Sequence, residues 1–352
     1  MKTNHNQVVF AREYRGYSQT ELASRIKGLS QPTLSKFEKG IGAISDDILK
    51  EIAIVLNFPL SFFELEIFNK SYTANYRKKR ITKTVKDQLD KRNKLYGYLV
   101  DKLKSGDIEF PPLKFKSIDL TDGYTPRTVA QHLRQILGLK YHPIKDIITI
   151  LENNGIIVIE DNSDVEEFDG VSFITDEGNY IIIINKNFSN DRKRFTLAHE
   201  LGHLIMHNTM DCLIDEKRDI EKEANQFASE FLMPEDEIKR SLYGLKISDL
   251  AGLKQYWLTS MASILFRAKD LKCIDDRRAT YLNIELSRSG FKKKEPIDVA
   301  IDKPFLFKEA YKLFINELNY TIEDMANFFC ISKEDTEDIF EAPKRFKLRL
   351  TV

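Results

Sequence analysis

RFTLAHELGHLIMH, residues 194–207, is the stretch on which the reading of this chain turns. On a helix, side chains four positions apart share a face. His199 and His203 can therefore both turn a ring nitrogen towards one ion, and Glu200 stands beside them. That is where a base must sit to take a proton from water on a metal. The rival reading is a surface helix with chance histidines. It conflicts with the apolar neighbours Phe195, Leu197, Ala198, Leu201, Leu204 and Ile205, since two histidines among them need polar partners. Gly202 is costly inside a helix and predicts a close contact with another element. His207 lies a further turn on and reads as a helix-end or packing histidine.

Two histidines do not hold zinc firmly, and an open site usually has three protein ligands. The following segment EKEANQFASEFLMP, residues 221–234, offers Glu221 and Glu223. At 100° per residue, Ala224, Asn225, Ala228, Phe231 and Leu232 lie within about 80° of Glu221. This apolar side is expected to face inward, making Glu221 the third ligand of a Zn2+ ion. Glu223, with Gln226 and Glu230, is expected to face water. Asn225 either hydrogen-bonds a ligand histidine from behind or is a plain surface residue.

Working outward, RTVAQHLRQILGL and IKDIITILENNG read as helices, and IIVIE, DGVSFIT and NYIIIIN as strands. With the two helices above, the order α-α-β-β-β-α-α predicts a small α+β domain, helices on one face of a short sheet. FTLAHELGHLIMH with EKEANQFASEFLMP resembles the ImmA/IrrE family of metallo-endopeptidases. EFDGVSF, YIIIINKN, DRKRF and the segment 256–296 are similar to the family's pattern as well. The resemblance implies a zincin-like domain, a metal held by His199, His203 and Glu221, and Glu200 as catalytic base. It implies a protein substrate, a repressor or antitoxin-like partner, cut in a stress- or phage-related response. Tyr180, Tyr256 and Tyr281 are candidates for stabilising the oxyanion, with no spacing to choose among them.

Residues 1–65 read as a run of short helices. Ser18 caps one, with Glu21 at the capping-box position, and Ser30 caps the next, with Pro32 in its first turn. SQTELASRI and SQPTLSKFEKG resemble the positioning and recognition helices of the XRE-type helix-turn-helix. The resemblance points Gln31, Pro32 and Lys36 at the major groove of double-stranded operator DNA and Gln19 at a phosphate, and Thr33, on the outward side of the same helix, joins them as a DNA-binding candidate. Amides and short hydroxyls suit base edges and phosphates. The alternative is a protein-interaction domain of the same fold, since 8 basic against 7 acidic residues make a weak electrostatic footprint. Residues 66–104 carry 12 basic and 4 acidic residues, densest at YRKKR, 76–80. They could add phosphate attraction or form a solvated helix.

The expected fold is therefore multidomain and mainly α, with one small α+β domain. Its parts are a helix-turn-helix domain at 1–65, a basic helical linker at 66–120, a metallopeptidase domain at 121–244 and a helical regulatory region at 245–352. Within the last, TIEDMANFFCISKEDTEDIF (321–340) echoes the helix-turn-helix period but is acidic, and reads as a protein-contact pair. The closing KRFKLRLTV reads as an extended tail. Lys+Arg and Asp+Glu are both 54, so net charge names no partner. Three scattered cysteines, no apolar leader and no membrane-length run point to a reducing, cytoplasmic setting. Two functions follow. One is a DNA-binding regulator fused to a zinc endopeptidase. The other is an autoregulating antitoxin or immunity-type protein whose metal is structural or sensory. A homodimer is compatible with both.

Overall fold

The computed structural model describes residues 3–67, 81–106, 108–207 and 218–340. YRKKR, Cys212 and the KRFKLRLTV tail lie outside them. Along the chain run α1 (His5–Tyr14), α2 (Gln19–Ser24), α3 (Gln31–Glu38), α4 (Asp46–Leu56) and α5 (Lys83–Ser105). Then come α6 (Pro126–Ile136), α7 (Ile147–Asn153), β1 (Ile156–Asp161), β2 (Gly170–Ile174), β3 (Tyr180–Asn185), α8 (Asn190–Met206) and α9 (Ile220–Leu232). The rest is helical: α10 (Glu235–Leu242), α11 (Ile247–Trp257), α12 (Met261–Asp270), α13 (Asp276–Arg288), α14 (Leu306–Glu317), α15 (Ile322–Phe329) and α16 (Lys333–Phe340). The chain is thus mainly α with one three-stranded sheet among the described residues.

It divides into two compact units. The described part of unit 1 is 3–67, 81–109 without residue 107, and 307–340; that of unit 2 is 110–207 and 218–306. This differs from the four expected segments in two ways. First, α5 is no mere connector. Leu89, Leu95, Tyr96, Leu99, Val100 and Leu103 give it a buried stripe at helical spacing, and it packs on α1. Second, the expected 245–352 region is split. Leu245, Leu250, Trp257, Ile264, Leu265 and Leu282 share one core with Leu197 and Leu201 of α8. The helices from Phe307 on belong to unit 1 instead.

Unit 1 is stitched by side chains from both ends of the sequence. The Arg15 guanidinium makes paired bonds of 2.8 and 2.6 Å to the Asp335 carboxylate. It also donates to the carbonyls of Leu56 and Asn57, capping the C-terminal end of α4. The Tyr98 hydroxyl of α5 donates to Phe329 O. Rings of Tyr311 and Phe340 stack at 4.3 Å, and Phe329 stacks on Phe340. The capping box at Ser18 and Glu21 forms as the sequence predicts, and Ser30 caps α3.

In unit 2 the strand order is β1-β3-β2, β1 parallel and β2 antiparallel to β3. Ile156, Val158, Ile182 and Ile184 lie in one core with α8. The alternate residues Ile157, Ile159, Ile181 and Ile183 are buried too, so burial is not confined to one face of the sheet. The edge strand β2 brings small residues to the helix. A Cβ on Gly170 would stand 2.7 Å from Thr196 Cγ2, so α8 can lie against β2 only because none is there. The expected close contact at Gly202 is with α9: a Cβ would meet the Phe227 ring at 3.0 Å.

Beneath this, Arg267 is fully buried and paired with the equally buried Glu230, and donates to Met233 O at 3.1 Å. Glu230 was expected to face water. It faces inward because α9 is wrapped almost all round, Phe227, Ala228, Ser229, Phe231 and Leu232 being buried with it. Removing one partner of such a pair costs about 3–5 kcal/mol.

Candidate metal centre and helix-turn-helix face

α8 carries His199 and His203 one turn apart, and α9 crosses it at Gly202 and Phe227. The crossing delivers Glu221, at the start of α9, to both histidines. Its Oε2 lies 3.5 Å from His199 Nε2 and its Oε1 lies 3.4 Å from His203 Nε2. The two Nε2 atoms are 3.0 Å apart. Among the described residues, His199, His203 and Glu221 form a group whose donor atoms all lie within 4.8 Å of one another. Two imidazole nitrogens and one carboxylate oxygen suit a divalent transition metal with a position left open. Glu221 is the exposed member, at 50% side-chain exposure, while His203 is at 6%. The two histidines hold the Glu221 carboxyl far below the usual carboxylate range. Burial favours the neutral form of His199, but its bond to Glu221 and the charges of Glu200 and Glu221 outweigh this and raise it.

Glu200 is buried at 5% exposure, and its carboxylate meets the edge strand β2. There Ser172 Oγ donates to Glu200 Oε2 at 2.7 Å. Ser172 opposes Ile182 in the register, so it shares the helix-facing side of β2 with Gly170. Nothing in the sequence of α8 announces Ser172. The sheet register brings it there.

Each histidine has a polar group behind it. His199 Nδ1 lies 3.2 Å from Asn225 Oδ1, and Asn225 is half-buried there. His203 Nδ1 lies 2.9 Å from His207 Nδ1. His207 Nε2 is 2.9 Å from Glu223 Oε2, and Arg218 grips both Glu223 oxygens at 3.1 and 2.7 Å. Glu223 is therefore half-buried and bound, not the solvated bystander expected. Burial, with His203 beside it, pushes His207 down to about 4, so it is neutral near pH 7. Of the tyrosines, Tyr256 is exposed with its ring on Trp257, and Tyr281 is exposed beneath the Arg278 guanidinium. Tyr180 opens β3.

A cleft of about 970 Å³ in unit 2 reaches Asn225 and is walled by Phe195, Phe266 and Phe291, with Lys292, Lys293 and Lys294 along it.

Residues 151–269 match the family model of the IrrE N-terminal-like domain, an M78 peptidase domain. The chain carries an M78 peptidase domain. Residues 11–63 match a helix-turn-helix family model, so the pairing that the ImmA/IrrE resemblance implies is present. The chain is thus a DNA-binding regulator fused to a metallopeptidase-like domain, a kind of domain that takes a metal cofactor. A comparison with curated proteins finds no match.

On the helix-turn-helix, Pro32, Thr33 and Lys36 of α3 are exposed. Thr33 Oγ1 pairs with Ser30 Oγ at 2.8 Å. Gln31 Nε2 donates to Gln19 Oε1 at 2.9 Å, and Gln19 Nε2 donates to Glu38 Oε2 at 2.7 Å. Glu38 is buried and held by Arg12 through bonds of 2.6 and 2.8 Å. Gln19, assigned to a phosphate from sequence, is here engaged at both ends of its amide. It fixes which way the Gln31 amide points. Among the described helices none is long and apolar enough to cross a membrane.

Proposed function

We propose that this protein is a cytoplasmic, DNA-bound zinc endopeptidase that hydrolyses a peptide bond in a partner protein. His199, His203 and Glu221 would hold the ion. When bound, zinc polarises the peptide carbonyl and acidifies a water. The chain's own residues do the rest. The Glu200 carboxylate takes the proton of the attacking water and returns it to the leaving amide nitrogen. Ser172 holds one Glu200 oxygen still, which orients the other. β2, at the sheet edge beside Glu200, offers main-chain pairing to an extended substrate. The cleft reaching Asn225 gives room for its side chains.

The observation that carries this reading is the buried Glu200 beside, and not within, the donor trio. A structural or sensory metal in an antitoxin-type regulator has no use for such a carboxylate. By resemblance the substrate is a repressor or antitoxin-like protein in a stress- or phage-related response. Gln31, Pro32, Thr33 and Lys36 would read operator DNA, with the protein as a monomer or homodimer.

The test is incubation of the purified protein with candidate partner proteins, with and without chelator. Cleavage should occur, stop with chelator and be lost by a factor of about 10²–10⁴ in Glu200→Gln, which keeps its metal. A Glu200→Gln protein empty of metal, or one that still cuts, defeats the assignment.

A further inference from the structure

We infer that His207 is a positioning residue for His203, and that Glu223 and Arg218 complete the device. The inference rests on the metal reading of the site above. It starts from a requirement of imidazole chemistry. A neutral histidine carries one ring proton, and the other nitrogen alone can bind a metal. The Nε2 atoms of His199 and His203 converge with Glu221, so the proton of each must sit on Nδ1. Each Nδ1–H then needs an acceptor on the far side of its ring.

For His199 that acceptor is the Asn225 amide oxygen. For His203 it is His207 Nδ1, at 2.9 Å. Two imidazoles can share a hydrogen bond between their Nδ1 atoms only if one accepts. His207 must therefore carry its own proton on Nε2. The position of Glu223 enforces this, because its carboxylate oxygen lies 2.9 Å from His207 Nε2 and can only accept. Arg218 in turn grips that carboxylate through two N–H groups. The donor direction is thus dictated step by step: Arg218 to Glu223, His207 Nε2–H to Glu223, and His203 Nδ1–H to His207. The last acceptor in this chain, an imidazole leaning on a carboxylate, is a better one than the amide behind His199. His203 is accordingly the more electron-rich of the two ligands.

His207 is not an additional ligand in this scheme. Both its nitrogens are engaged behind His203, on the side away from Glu221. Nor is Glu223 a spare for Glu221. It acts two residues further back, through His207.

The experiment is competition for zinc between a chromophoric chelator and the full-length protein. His207→Ala should bind zinc about 10–100-fold more weakly than the parent. His207→Asn, whose side-chain oxygen can accept the Nδ1–H, should recover part of the loss. Glu223→Gln should lie between parent and His207→Ala. A folded His207→Ala protein with unchanged zinc affinity overturns the inference while leaving the metal site standing. A parent protein that takes no zinc defeats the metal reading itself. Should His207→Ala not fold, nitrogen-15 NMR of the zinc-loaded parent decides: His203 must show a protonated Nδ1 and a ligating Nε2. The reverse pattern overturns the inference.

Discussion

In unit 2 the side chains singled out for chemistry are largely buried, and each is held by another polar group. His203, Glu200 and His207 are all below a tenth exposed, and Ser172, Asn225 and Glu223 hold the groups in front of them. In unit 1 the side chains singled out for DNA are mostly at the surface. Pro32, Thr33 and Lys36 are exposed, while Gln31 and Gln19 are tied into an inward chain through Glu38 to Arg12. The difference follows from what each must do. A metal-type site has to be preorganised to fractions of an ångström before the ligand comes. A groove reader leaves its ends loose and takes its final geometry from the duplex. The exception on α3, Gln31, suggests which side chain of that helix carries sequence information rather than charge.

The comparison breaks most visibly at His203. His203→Ala should take metal content from about one ion per chain to none after dialysis, read by metal analysis, because two donors do not hold zinc. Retained stoichiometric metal would show that the donor trio is wrong. A smaller effect is expected at the other face. Gln31→Ala should weaken specific operator binding by about 1–3 kcal/mol while leaving non-specific binding nearly intact, measured by anisotropy on both duplexes. Equal loss on both would make Gln31 a backbone contact. The smallest effect is expected at Lys36. Lys36→Ala should lower affinity about evenly across sequences and reduce the slope of log affinity against log salt by about one. An unchanged slope would place Lys36 off the phosphates.

What could be read from sequence was what is local. HELGH places two histidines on one helical face whatever surrounds it, and the caps at Ser18 and Ser30 lie three residues from their partners. The strands and helices from 126 to 234 were legible for the same reason. On α9 the helical phase takes apolar neighbours to mean the inward side, yet Glu221 stands at the exposed end and Glu230 is the residue turned fully inward, onto Arg267. Ser172 was invisible because its distance to Glu200 is set by the register of β2 on β3 and by the missing side chain at Gly170. His207 was read by its place at the helix end, but Glu223 and Arg218 decide its role. At the C-terminus the helical period was plain. Periodicity shows that a face is apolar but not which core will take it, and the helices from Phe307 on lie in unit 1 while 245–306 lies in unit 2.

That last feature has a bearing on how the protein is made. Arg15 leaves the ribosome early, but its partner Asp335 is 320 residues away. The whole of unit 2 is synthesised in between. Domains generally fold as units while the chain emerges. The M78 peptidase domain therefore has all its residues before the unit containing the DNA reader can close, and a chain that stops short of α16 would carry a finished peptidase domain beside an unfinished reader.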